Sequence, residues 1–187
     1  PSGSALKIGR GHHGGIIPEG AYDWKGYIQE LRISKQAVYS CNFTPATTLF
    51  TKCCPDPVEP TCDVVELHLQ SNQTVQDYNI VDVSGRNYAI NNNGAMNYVG
   101  EPYLAPTSYW FSGDDNVSIG DTSDFKFLHD GTIDYTVEFW IKAWQTPHET
   151  PDYETILCTC SNTSGRGFMI VLHNHQLRVF IGRATPG

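Results

Sequence analysis

Residues 135–144 read YTVEFWIKAW, in which apolar residues such as Val137, Phe139 and Ile141 alternate with polar ones such as Thr136, Glu138 and Lys142. A period of two puts successive side chains on opposite faces, which is the pattern of a strand with one face on a core. Working outward, VVELHLQ (64–70), TILCTCS (155–161), GFMIVLH (167–173) and QLRVFIGR (176–183) repeat this habit to varying degrees. Clusters of Gly, Pro, Asn and Asp separate them and supply turns. No stretch has the 3.6-residue apolar spacing of a long amphipathic helix. Many short strands joined by turns predict an all-β antiparallel sandwich of jelly-roll type, not a parallel α/β sheet.

The chain has 187 residues, 40% of them hydrophobic and 12% aromatic, enough to bury a core. Its net charge of -8 argues against nucleic acid as partner, because gripping phosphates takes clustered Lys and Arg. No apolar run approaches the roughly 20 residues of a membrane-spanning helix, so membrane insertion is not expected. The sequence begins at Pro1 without a signal peptide or initiator Met, and reads as a processed chain or a fragment.

Six cysteines and four N-glycosylation sequons point to a secreted, extracellular glycoprotein. The sequons begin at Asn42, Asn72, Asn116 and Asn162; Asn72 and Asn162 lie in polar, turn-like segments where a glycan has room. Cys53, Cys54 and Cys62 crowd the segment CCPDPVEPTC, with Cys41 before it and Cys158 and Cys160 far downstream. An even number of cysteines reads as three disulfides, whose pairing the sequence leaves open. A zinc cluster would want regular paired spacing, which is missing. Pro55, Pro57 and Pro60 deny the same segment sheet hydrogen bonds, so 51–63 reads as a stiff, stapled linker.

Several motifs carry a family resemblance. GYIQELRIS followed by YSCNFTP resembles the closing strand and exit segment of a laminin-G-like (concanavalin A-like) domain. VVELHLQ, DVSGRNYAI, YWFSGDDNVSIG and YTVEFWIKA resemble that fold's opening strands. The resemblance implies that 1–50 closes one domain and 64–187 opens a second, as if cut out of register from a tandem array. Two strands normally lying between LRVFIGR and ALKIGRG have no counterpart, which implies a permuted domain or one completed by a neighbouring unit. At Gln29 the family often carries Asp, so a family calcium site that uses this position loses a charge.

Asp114, Asp115, Asp121 and Asp124 form the candidate calcium site, calcium being the one cofactor the sequence brings into view, since turn carboxylates and carbonyls suit that ion. The competing reading is Asp side chains that cap turns. Glycoside hydrolysis needs two carboxyls about 5 to 9.5 Å apart. Asp134 and Glu138 lie about 13 Å apart along a strand, and Asp152 and Glu154 fall in a Pro-flanked loop. No catalytic residues are assigned and no enzyme is expected. His12 and His13 lie in a Gly-rich turn and His173 and His175 would share a strand face, a spacing that can hold a metal, but without a third ligand near in sequence all four read as turn and strand histidines. Tyr22, Trp24, Tyr103, Tyr109, Trp110 and Trp144 offer stacking surfaces for a sugar ring; of these Trp24 and Trp144, near turns, are the candidate ligand contacts, whereas Trp110 and Trp140 sit in strand motifs expected to face the core.

The resulting expectation is a non-enzymatic structural repeat of an extracellular fibre or surface appendage, with identical or similar repeats as head-to-tail partners through strand exchange. The alternative is a lectin-like adhesion module that binds a glycan or a cell-surface receptor.

Overall fold

The computed structural model describes residues 5–11, 21–39, 42–45, 47–50, 64–70, 76–104, 106–121, 123–144, 153–159 and 167–182. Two sheets pack face to face, as the alternation predicts. The first contains β1 (Leu6–Ile8), β2 (Ala21–Asp23), β5 (Ile90–Asn93), β8 (Asn116–Ile119), β10 (Tyr153–Cys158), β11 (Gly167–His173) and β12 (Gln176–Gly182), in the order β12-β11-β10-β1-β8-β5 with β2 parallel to β10. The second contains β3 (Lys25–Ser34), β4 (Val65–Leu69), β6 (Met96–Tyr98), β7 (Ser108–Ser112) and β9 (Thr136–Ala143). Between β8 and β9 lies one helical turn, α1 (Phe127–Asp130), closed by Gly131 in the left-handed conformation.

β3 is the axis of the second sheet. Along one side it pairs with β9; along the other its N-terminal half pairs with β7 and its C-terminal half with β4. Its alternation is interrupted once. Gln29 faces Trp140 and Arg32 faces Glu138, so Glu30 and Leu31 together oppose the single residue Phe139. This is a bulge, and Glu30 takes a positive φ of 53° to make it. The extra residue resets the phase, so that Ile28, Leu31 and Ile33 all enter the core while Tyr27, Gln29 and Arg32 share the outer face.

The core between the sheets is built from such inward positions, among them Leu6, Ile8, Ile28, Ile33, Phe111 and Ile170. Gly9 follows β1 with φ at 84° and lies against Phe111, where a Cβ would come within 2.4 Å of the ring. Its lack of a side chain lets the chain turn and the ring close over it.

The strand order revises the division of the chain. β1 sits between β8 and β10, and β3 between β9 and the β4/β7 pair. Described strands from 1–50 and from 64–187 therefore complete the same two sheets, while 51–63, expected as a linker, lies outside the described residues. A strand with both edges paired needs neighbours on either side, and these neighbours come from the far end of the sequence. Among the described residues, no helix is long and apolar enough to cross a membrane.

Candidate functional site

The outer face of the second sheet divides in two. Over its β4 end, the chain leaving β3 lies back on the sheet. Tyr39 Oη donates to Glu138 Oε1 at 2.5 Å, and Phe50 covers Arg32, whose guanidinium carbon stands 4.1 Å from the ring centre. Beneath that cover Arg32, 1% exposed, pairs with Glu138 at 2.8 Å, and His68 pairs with Glu30 at 3.2 Å. Glu30 Oε2 also accepts from Phe50 N at 3.2 Å, whereas its Oε1 is buried without a partner.

The other half is open and aromatic. Cross-strand neighbours share a face, so the registers Tyr27↔Trp110, Tyr27↔Lys142 and Gln29↔Trp140 place these side chains together on the outside. Tyr27 and Trp110 have centroids 4.6 Å apart, and Trp144 meets Trp110 edge-on at 5.4 Å. Tyr103 leans on Trp140 at 4.7 Å. Between them runs a groove of about 430 Å³, lined by Tyr27, Gln29, Glu101, Pro102, Tyr103, Ser108, Trp140, Ile141 and Lys142.

Gln29 builds one wall. Its Nε2 donates to Thr107 O at 2.7 Å, and its Oε1 accepts from Leu104 N at 2.8 Å and Tyr103 N at 3.2 Å. One buried amide thus holds the 103–107 loop, and Tyr103 with it, over the sheet. A carboxylate could serve both N–H groups but could not donate to Thr107 O, which is the physical reason an amide suits this position. Three polar features remain in the groove. Lys142 and Glu101 form an exposed ion pair at its rim. Ser108 is 1% exposed, and its Oγ has no hydrogen-bond partner. Burial raises the Tyr27 hydroxyl pKa above its ordinary value, with Tyr98 adding to the effect, so the phenol stays a neutral donor.

The aromatic expectations are partly exchanged. Trp24 is fully buried (0%) beneath Gly26, with its backbone N–H on Gly9 O at 2.7 Å, so it is core and cannot stack on a ligand. Trp110 and Trp140, expected inside, lie on the outer face. The signal for Trp140 was present, because in YTVEFWIKAW it alternates in phase with Glu138 and Lys142 rather than with Val137, Phe139 and Ile141. Trp144 is 46% exposed at the groove's aromatic end. Tyr103, 67% exposed, is on a loop whose position no local pattern announces.

The candidate calcium carboxylates sit at two turns. Asp115 Oδ2 accepts from Ser112 N at 2.7 Å between β7 and β8, with Asp114 exposed beside it. Asp121 Oδ1 accepts from Ser123 N and Oγ, both at 2.7 Å, and Asp124 Oδ2 accepts from Asp121 N at 2.7 Å. The Ser123 hydrogen bonds hold the Asp121 pKa below its usual value. These are turn-capping contacts, and among the described residues no three His, Cys, Asp or Glu are grouped to hold a metal.

Of the sequons, Asn42 is exposed and Asn116 is half-buried at the start of β8, opposite Asn93. Asn72 and Asn162 lie outside the described residues, as do Cys41, Cys53, Cys54, Cys62 and Cys160. Cys158 is buried in β10, its Sγ 3.4 Å from Arg10 O. His173 stacks on Tyr153 at 4.0 Å, while Asn174 and His175 are the positive-φ pair of the β11–β12 turn, so the two histidines do not share a strand face. His12 and His13 lie outside the described residues.

No protein-family model, curated protein or solved structure matches this chain. The groove must therefore be read from its own chemistry.

Proposed function

We propose that the domain is a binding module whose outer groove takes a saccharide, as an adhesion domain of a secreted glycoprotein would. One observation carries this reading. An exposed tyrosine and a tryptophan, Tyr103 and Trp140, flank a groove that also presents a buried, unpartnered Ser108 hydroxyl and an exposed Lys142–Glu101 pair. A sugar ring has apolar C–H faces and a polar rim, so it is met by aromatic rings on its faces and by hydroxyl, carboxylate and ammonium groups at its edge. The similarity of several strand motifs to laminin-G-like domains agrees with this reading.

The test is retention of the domain on a panel of immobilised oligosaccharides, followed by calorimetry with the best. Tyr103→Ala should weaken binding by tenfold or so, about what one aromatic contact contributes, with the fold intact because this side chain is exposed. The reading fails if no saccharide is retained or if the variant binds as well as the wild type. Chelation of divalent ions in the same assay assigns any calcium dependence.

A second reading, a structural repeat of a fibre joined by strand exchange, has its own support. The edge strand β12 leaves Leu177, Val179 and Ile181 about half exposed. Electron microscopy of concentrated protein tests it, the expected outcome being filaments with a regular axial repeat.

A further inference from the structure

The groove is one end of a longer aromatic track. Along the outer face of β9, Trp140, Lys142 and Trp144 follow one another at every second residue. Trp144 N donates to Lys25 O at 3.1 Å, so the ladder between β9 and β3 runs one residue past Ala143 and Trp144 keeps the outward phase. Four residues of extended chain separate Trp140 from Trp144 by about 13 Å. Each end carries an aromatic platform. At one, the 67% exposed Tyr103 leans on Trp140 at 4.7 Å; at the other, the 46% exposed Trp144 meets Trp110 at 5.4 Å. Tyr27 lines the groove and lies 4.6 Å from Trp110, so the surface between the platforms is continuous.

The middle of the track is polar and balanced in charge. Lys142 lies halfway between the two tryptophans of β9, and its ammonium pairs with Glu101 from the segment after β6, both side chains being exposed. An exposed pair of this kind contributes little to stability, so it opens readily to other hydrogen-bonding groups. As a unit it is neutral. Hydroxyls can accept from the ammonium and donate to the carboxylate, whereas an anionic ring that gained Lys142 would also meet Glu101. The net charge of -8 opposes anionic ligands at longer range as well.

We propose, resting on the saccharide reading of this groove, that its ligand is an unbranched, uncharged oligosaccharide of at least three rings laid along β9. Neighbouring rings of a glycan chain stand less than half as far apart as the two platforms. A chain that reaches both therefore carries at least one ring between them. The end rings lie on Tyr103 with Trp140 and on Trp144 with Trp110, their C–H faces against the aromatic rings. The ring between them spans the Lys142–Glu101 pair with its hydroxyls. The site then recognises a length of chain rather than a single terminal sugar.

Calorimetry with cello-oligosaccharides and chitin oligosaccharides, each from the single sugar to the hexamer, tests the proposal, with oligogalacturonides as the charged comparison. At least one neutral series should gain about tenfold in affinity between the single sugar and the trimer or tetramer and then level off, since a second aromatic platform adds roughly what the first does. Raising the salt concentration should leave that affinity as it is. Trp144→Ala should remove the gain, so that trimer and single sugar bind alike, with unchanged circular dichroism. A wild-type trimer that binds no tighter than the single sugar, a gain that survives in Trp144→Ala, or a preference for oligogalacturonides overturns the inference and leaves the saccharide reading standing. Retention of some other sugar, with neither neutral series bound, does the same. Binding of no saccharide at all overturns both. Should Trp144→Ala fail to fold, the wild-type length profile decides, a flat one overturning the inference and a rising one supporting it.

Discussion

Replacing Gln29 with Ala tests how the groove is held. Gln29 is 3% exposed and makes one hydrogen bond to Thr107 O and accepts two, from Leu104 N and Tyr103 N. Thr107 is fully buried, so its carbonyl has no water to turn to. Taken near the low end of its range, a buried group that loses its partner costs about 1.2 kcal/mol, and one near solvent about 0.5 kcal/mol. Two full losses and one partial loss give a destabilisation of about 3 kcal/mol. For a domain of this size that corresponds to roughly 9 °C in Tm. Thermal and urea unfolding, followed by two probes to confirm a single transition, give the value. A drop below about 2 °C would refute the claim that this amide anchors the loop. Saccharide affinity should fall as well, since Tyr103 rides on the same segment. Gln29→Glu sharpens the test. Its carboxylate can accept but not donate, and its burial against Thr107 O raises the folded pKa above the unfolded one, so the protonated form is the one favoured in the fold. The variant should therefore be least stable at neutral pH and recover as the pH falls through the carboxylate range, where the protonated group can donate again.

Two further outcomes follow from burial. Trp24→Ala should cost about 4 kcal/mol of stability, as removal of a fully buried ring does, and a variant that unfolds at the wild-type temperature would contradict its place in the core. His129 sits in α1 with Nδ1 3.3 Å from Thr159 Oγ1; burial lowers its pKa below 6.5, with Lys126 acting in the same direction and Asp130 opposing. The unfolded state then binds the proton more tightly, so this contribution is whole above pH 6.5 and is lost as pH falls towards the depressed value. Comparing His129→Gln with the wild type across that window should show a shallower loss of stability in the variant; identical pH profiles would contradict the assignment.

The sequence by itself determined the β architecture. Alternation such as that of residues 135–144 is a local property of a pleated strand, and it survives in β9, whose inner and outer residues are those the period of two selects. The same phase contained the outward direction of Trp140. Local pattern could not supply what long-range pairing decides. The bulge at Glu30 shifts the phase of β3 by one residue, and that shift only has meaning against Phe139 on the opposing strand, which comes from over 100 residues away. Trp24, at the junction before β3, is core because β1 and β2 pair into the opposite sheet and bring Gly9 O to its backbone. The union of 1–50 and 64–187 in one sandwich, the loop that Gln29 holds over the sheet, and the uncovered flank of β12 were settled by tertiary structure alone. Each depends on which backbone edges find partners, and hydrogen bonds between strands carry no local signature of the residue they will meet.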